Sequence, residues 1–196
     1  MEKVKKSFAA MLMYYVIGSC LVFSGVCFAL YYIEIYKNST ILWLGIVAFM
    51  IMYHLWMRII CGNITKLFKI SYNNFWFREK PFEKNLYKVL KVKSWKDKVL
   101  TYNPQLFSVK KYSLDEIALT MTKAELDHWI NQLVSLSSLL FAFLWGQFYI
   151  FLITTFLAMV FDGQFILIQR YNRPRVLNII ERRKGRLKKN EYSCNL

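Results

Sequence analysis

Four cysteines fall at 20, 27, 61 and 194, with no C-x-x-C pair and no spacing to a histidine that suits zinc. A redox motif or a zinc site is therefore not indicated, and small apolar packing residues are the simpler reading. Only two histidines occur, His54 and His128, so imidazole chemistry is confined to two positions. There is no G-x-S-x-G motif, and with it no sign of a serine nucleophile. Acidic residues are scarce too, 12 against 27 Lys and Arg, a formal charge of +15. Disorder or nucleic-acid binding would explain that excess only if it were spread through a polar chain, which it is not.

What the chain has in quantity is apolar length. AVILMFWYC make up 56% of 196 residues and mean hydropathy is +0.26. Windows free of charge run from Ser7 to Ile33 (27 residues), from Asn38 to Met57 (20) and from His128 to Phe161 (34). Each is long enough to cross a hydrocarbon slab of about 30 Å at about 1.5 Å per residue. The first follows Lys3, Lys5 and Lys6 but is about twice the length of a signal-peptide core, so it reads as a retained helix.

Charge placement sets the number of crossings. Lys and Arg number 3 before the first window, 1 between the first two, 14 from Arg58 to Lys123 and 9 from Arg170 onward. Positive segments stay in the cytoplasm, so both termini and the central segment lie inside and the crossings are even in number. The expectation is an all-α integral membrane protein of four transmembrane helices, multi-pass in the cell membrane. The third and fourth form a tight hairpin turning near Trp145-Gly146-Gln147. Spans are placed at about 8–33, 40–60, 127–145 and 148–168. The chain divides into an N-terminal helix pair (1–61), a basic amphipathic cytoplasmic or interfacial segment (62–126), a hairpin with an arginine-rich end (127–175) and a basic tail (176–196).

The cytoplasmic segment carries the polar motifs. From Pro81 to Leu100 lysines alternate with aliphatic and aromatic residues, and Phe82, Leu86 and Leu90 fall four apart. That pattern suits short helices lying in the interface, anchoring the loop or holding an anionic substrate. Within it Asp97 is ringed by Lys93, Lys96 and Lys98, next to Trp95. A local ion pair is the plain account, orientation of a substrate hydroxyl the sharper one. Ser113-Leu114-Asp115-Glu116 is a capping box, so a helix starts there. On that helix Glu125 and His128 lie one turn apart, and a carboxylate there would orient the imidazole as a base for a hydroxyl. An interfacial histidine with an ordinary hydrogen bond fits equally.

His54 and Arg58, four apart near the inner end of the second span, share a face and would turn inward, with Arg58 either pairing with Glu125 or binding a phosphate. After the last span comes Gln169-Arg170-Tyr171-Asn172-Arg173-Pro174-Arg175. Pro174 is expected to end the helix and present three guanidiniums at the headgroup level for phosphate or carboxylate.

Lys93-x-Trp95-Lys96-Asp97, Ala124-Glu125-Leu126-x-His128-Trp129-Ile130 and the Gln169–Arg175 block together resemble the glycosyl-4,4'-diaponeurosporenoate acyltransferase family, bacterial enzymes of staphyloxanthin-type carotenoid biosynthesis. The resemblance covers residues 75 to 185. It implies transfer of a fatty acyl group from a coenzyme A or carrier-protein thioester to a hydroxyl of a glycosylated lipid, with no cofactor. Carried over residue by residue, it implies Glu125 and His128 in catalysis and Trp95, Lys96, Arg170, Arg173 and Arg175 in substrate binding. Asp97 and Asn172, next to them in the same blocks, and His54 and Arg58, from the span reading, are added to the substrate-binding candidates. The H-x-x-x-x-D motif of glycerolipid acyltransferases is absent. Expected partners are membrane lipid, the glycosylated lipid or carotenoid, the thioester donor and a further copy of the chain, not nucleic acid. The alternative from another class is a non-catalytic membrane protein whose basic face binds a partner or anionic lipid. A transporter has less support, since few intramembrane polar residues could line a path.

Overall fold

The computed structural model describes residues 8–99 and 104–194, with side chains through Leu187. Lys3, Lys5, Lys6, the side chain of Cys194 and the end of the basic tail lie outside the described residues. Every regular element among them is helical: α1 (Phe8–Tyr32), α2 (Ser39–Ile64), α3 (Glu83–Val89), α4 (Val92–Trp95), α5 (Leu114–Ser137), α6 (Ala142–Trp145) and α7 (Phe148–Cys194). Three stretches are long and apolar enough to cross a membrane, Phe8–Tyr32, Ser39–Leu67 and Phe148–Leu187. The protein is a membrane protein by that measure.

The segment expected as the third span is built differently from the other three. Its first half is the end of α5, which carries Asp127, His128, Asn131 and Gln132 and so falls short in hydropathy. A 3-10 turn (Ser138–Phe141) and the four-residue α6 follow. At Gly146 (φ 72°) and Gln147 (φ 31°) the backbone enters the left-handed region, which glycine adopts without the Cβ penalty. From there α7 returns antiparallel to α5, since partners rise along one helix as they fall along the other. Ser138 meets Thr155 (2.9 Å), Gln132 donates to the Met159 carbonyl (2.8 Å) and His128 meets Asp162 (2.9 Å). Gln147 also accepts from the Trp43 indole on α2 (2.9 Å), tying this turn to the first hairpin.

α1 and α2 form that hairpin. Asn38 caps α2 by accepting from the Thr40 N–H (2.9 Å). A Cβ at Gly45 would stand 3.0 Å from both the Cys27 Cβ and the Phe28 ring, so glycine there sets the approach of the two helices. At this end an apolar core of Leu42, Ile46, Met50 and Phe151 is closed by aromatic rings. Phe28 stacks on Trp145 (5.5 Å between centroids) and Trp145 on Phe151 (6.0 Å).

Pro174 does not end the last helix, contrary to the sequence expectation: α7 runs through it for 47 residues. The proline withholds its N–H from the preceding turn. Side chains on both sides hold the helix regardless, since the Tyr171 carbonyl accepts from the Arg175 guanidinium and Arg173 is fastened to neighbouring elements. Tertiary contacts thus outweigh the local preference.

Candidate functional site

Two polar clusters lie along the contact between α5 and α7. The first is an ionic clamp between α3, α5 and α7. The capping box forms as expected, Ser113 accepting from the Glu116 N–H (3.3 Å) while the Glu116 carboxylate takes the Ser113 N–H (2.8 Å), and it starts α5 in register. Three turns on, Glu125 is fully buried, with Oε2 2.5 Å from Arg173 Nη1 and Oε1 3.3 Å from Arg170 Nη1. Trp129 Nε1 donates to the same Oε1 (3.3 Å). Arg170 reaches outward to Glu83 of α3 (Nε to Oε1, 3.1 Å), and the Tyr87 hydroxyl donates to Glu83 Oε2 (2.8 Å). Arg170 also donates to the Trp76 carbonyl (2.9 Å) and Arg173 to the Phe77 carbonyl. Two carboxylates and two guanidiniums therefore alternate, pinning residues 76–87 onto α5 and α7.

Burial pushes the Glu125 carboxyl up from its ordinary range, with Arg173 and Arg170 pulling the other way. Burial, then the bond to Glu83, lifts the Tyr87 phenol well above its usual value. Both effects mark a dry site, where charges are kept only because each has a partner.

The second cluster lies one turn further along α5. His128 Nδ1 is 2.9 Å from Asp162 Oδ1, and its ring stacks on Phe165 (4.7 Å). Asp162, fully buried on α7, is gripped by Arg58 of α2 through Nη2 (2.6 Å) and Nε (3.2 Å). Arg58 also lies over the Phe161 ring (4.8 Å). Three helices thus meet on one carboxylate. A tautomer that donates Nδ1–H to Asp162 would leave the Nε2 lone pair of His128 unprotonated.

These contacts correct several sequence expectations. Glu125 is not the partner of His128, although one helical turn separates them: it faces the arginines of α7, and Asp162 takes the orienting place. Arg58 pairs with Asp162, not with Glu125. The arginine block does not present three unpaired guanidiniums for phosphate or carboxylate, because Arg170 and Arg173 are spent on Glu83, Glu125 and backbone carbonyls, while Arg175 folds back over the Tyr171 ring (3.6 Å). Asp97 makes the plain local pair with Lys96 (2.7 Å) and Trp95 donates to the Leu90 carbonyl (2.9 Å). Lys96 nevertheless sits 6.0 Å from the Tyr171 ring, so this block and the arginine block are neighbours. Asn172 is half-buried beside them. His54 is buried deeper between α2 and α5, its Nδ1 3.4 Å from the Ser135 hydroxyl.

Asp162 and Glu83 were missed by sequence reasoning. Asp162 carried a usable signal, being an acid set inside a membrane-length apolar helix. Glu83 carried none, lying among lysines like any solvated acid. Among the described residues no group of His, Cys, Asp and Glu gathers in the way a metal ion requires.

Fold and site together define a helical membrane protein with a histidine–carboxylate pair beside a buried ionic clamp. The family model for glycosyl-4,4'-diaponeurosporenoate acyltransferases matches residues 73–182, more than half of the chain. The chain belongs to that family. It is an acyltransferase of carotenoid biosynthesis, for which the family implies a glycosylated carotenoid and an acyl donor as substrates in general terms. The matched region contains Glu83, Glu125, His128, Asp162 and the arginine block, whereas His54 and Arg58 precede it. No curated protein and no solved structure matches the chain.

Proposed function

We propose that the protein moves a fatty acyl group from a coenzyme A or carrier-protein thioester to a hydroxyl of a glycosylated membrane lipid, a glycosylated carotenoid above all, at the inner rim of the cell membrane. In this reading the end of α5 with α6 makes the third crossing, α7 the fourth, and both termini lie in the cytoplasm. The observation that carries the chemistry is the 2.9 Å contact between His128 and Asp162, with Arg58 holding Asp162 from the other side.

Asp162 fixes the imidazole tautomer, and Arg58 holds Asp162 in place from the other side. His128 Nε2 takes the proton of the acceptor hydroxyl as its oxygen attacks the thioester carbonyl. Collapse of the tetrahedral species breaks the C–S bond, and the imidazolium returns the proton to the departing thiolate. Trp95, Lys96, Asp97, Asn172 and Arg175, near one another at the end of the clamp, are the proposed contacts for the polar parts of the substrates. Arg170, Arg173 and Glu125 shape that end instead of doing chemistry, and His54 supports the α2–α5 contact.

The test is acyl transfer in liposomes supplied with glycosylated carotenoid and acyl-coenzyme A, followed by mass spectrometry of the ester. His128→Ala should abolish the product. Asp162→Asn should lower kcat by a factor on the order of 10² or more, general-base catalysis and its orientation being worth that much. Glu125→Gln should instead act on stability. Undiminished ester formation by His128→Ala would remove the mechanism.

A further inference from the structure

α3 has three sides, and each faces something different. At 3.6 residues per turn, Glu83 and Tyr87 share one side. They are 4% and 7% exposed and lie against Arg170 and Tyr171 of α7, the two tyrosine rings meeting edge to face at 5.3 Å. Lys84 and Lys88 share a second side, in the open. The third side, with its flanking caps, is Phe82, Leu86, Val89 and Leu90; Phe82 is 65% and Val89 77% exposed. So the helix buries an acid and a phenol against the protein and turns its apolar residues outward. Phe75 and Trp76, in the 3-10 turn before α3, are also largely exposed.

The position of α3 says what covers it. Arg170, which holds Glu83, comes 22 residues after the first residue of α7. At about 1.5 Å per residue that is about 33 Å, one hydrocarbon thickness. α3 is therefore fastened at the level where acyl chains give way to headgroups. An exposed apolar side flanking the one buried against the bundle, with lysines opposite the apolar side, is the layout of a helix lying in an interface, and the lysines match anionic phosphates in charge.

We infer that α3 is a lipid-seated foot: its Phe82–Leu86–Val89 side lies among the acyl chains at the inner boundary of a bilayer bearing anionic headgroups. The inference rests on the proposed placement of the Arg170 end of α7 at the inner headgroup level. Through Glu83 and Arg170 the foot is joined to Glu125, one turn from His128, so the lipid surface and the reactive imidazole are held in fixed relation. A membrane-dissolved acceptor then meets the base without leaving the lipid.

The experiment is site-directed spin labelling in a background lacking cysteine, in phosphatidylglycerol-rich nanodiscs. Labels at Phe82→Cys and Val89→Cys are compared with Lys110→Cys, an exposed loop position before α5. Collision with oxygen exceeding collision with a nickel chelate at 82 and 89, and the reverse at 110, is the expected result. Nickel-dominated collision at 82 and 89 overturns the inference by placing the foot in water. Low collision with both probes overturns it too, since a second copy or another protein would then cover the face. The labelled side chains are exposed, so packing is left intact, and a thermal melt matching that of the unlabelled chain verifies it. Because the readout is depth and not turnover, a lipid-seated foot in a chain without acyl transfer would sink the catalytic reading alone.

Discussion

Replacing Glu125 with Gln keeps the shape of the side chain and removes its charge at a point where α5, α7 and the loop before α3 are joined. Arg173 is 1% exposed and would keep the Phe77 carbonyl, but its carboxylate partner at 2.5 Å would be gone. Arg170 would still have Glu83 and adds little to the loss. Removing one member of a buried ion pair costs about 3–5 kcal/mol, chiefly because the other charge is left without compensation. For a chain of this length each kcal/mol moves Tm by about 2–4 °C, so the midpoint should fall by about 6–20 °C. Arg173→Met leaves Glu125 with Arg170 at 3.3 Å and should sit near the mild end of that range. The double variant removes both charges and should cost less than the two single changes summed, by about 2 kcal/mol. Thermal unfolding of the detergent-purified protein, followed by tryptophan fluorescence, reads all three. A Glu125→Gln midpoint within about 1 °C of the parent, or strict additivity in the double variant, would refute the clamp.

Gly45→Leu should separate α1 from α2, because even a Cβ there meets Cys27 and Phe28 at 3.0 Å; overpacking of about 1–3 kcal/mol or more is expected, seen as a lower midpoint and weaker cysteine cross-linking between the helices. Arg58→Met should leave Asp162 buried with His128 as its remaining charged-group partner and loosen the α2–α7 contact, so kcat should fall, while Arg58→Lys restores part of it. The Ser113 N–H and hydroxyl hold the Glu116 carboxyl below its ordinary value of 4.5. Its stabilisation is therefore fully present above that value and fades as pH falls through the lowered folded one. Ser113→Ala should reduce protection of the first-turn amides of α5 in hydrogen exchange at neutral pH, and a parent-like exchange pattern would count against the cap.

How much of this was legible beforehand differs element by element. The apolar windows gave α1 and α2 closely, since a stretch of uncharged residues identifies itself without reference to any neighbour. Ser113 and Glu116 likewise announced the start of α5, because a capping box is complete within four residues. The left-handed residues at Gly146 and Gln147 fall where aromatic and glycine signals coincided. Pro174 misled for the same local reason, as the contacts that carry the helix past it come from Glu125 and Phe77, 48 and 96 residues away in the chain.

The sequence by itself determined that the chain is helical and largely apolar, where its first two helices lie, and which family it resembles. All of these depend on composition, periodicity or short motifs. Only the tertiary structure decided who pairs with whom: Glu125 with the arginines, His128 with Asp162, Glu83 with Arg170. Spacing along one helix says which side chains share a face, but the rotation and depth of the facing helix choose the partner. In a buried setting that choice is settled by the few kcal/mol that an uncompensated charge costs.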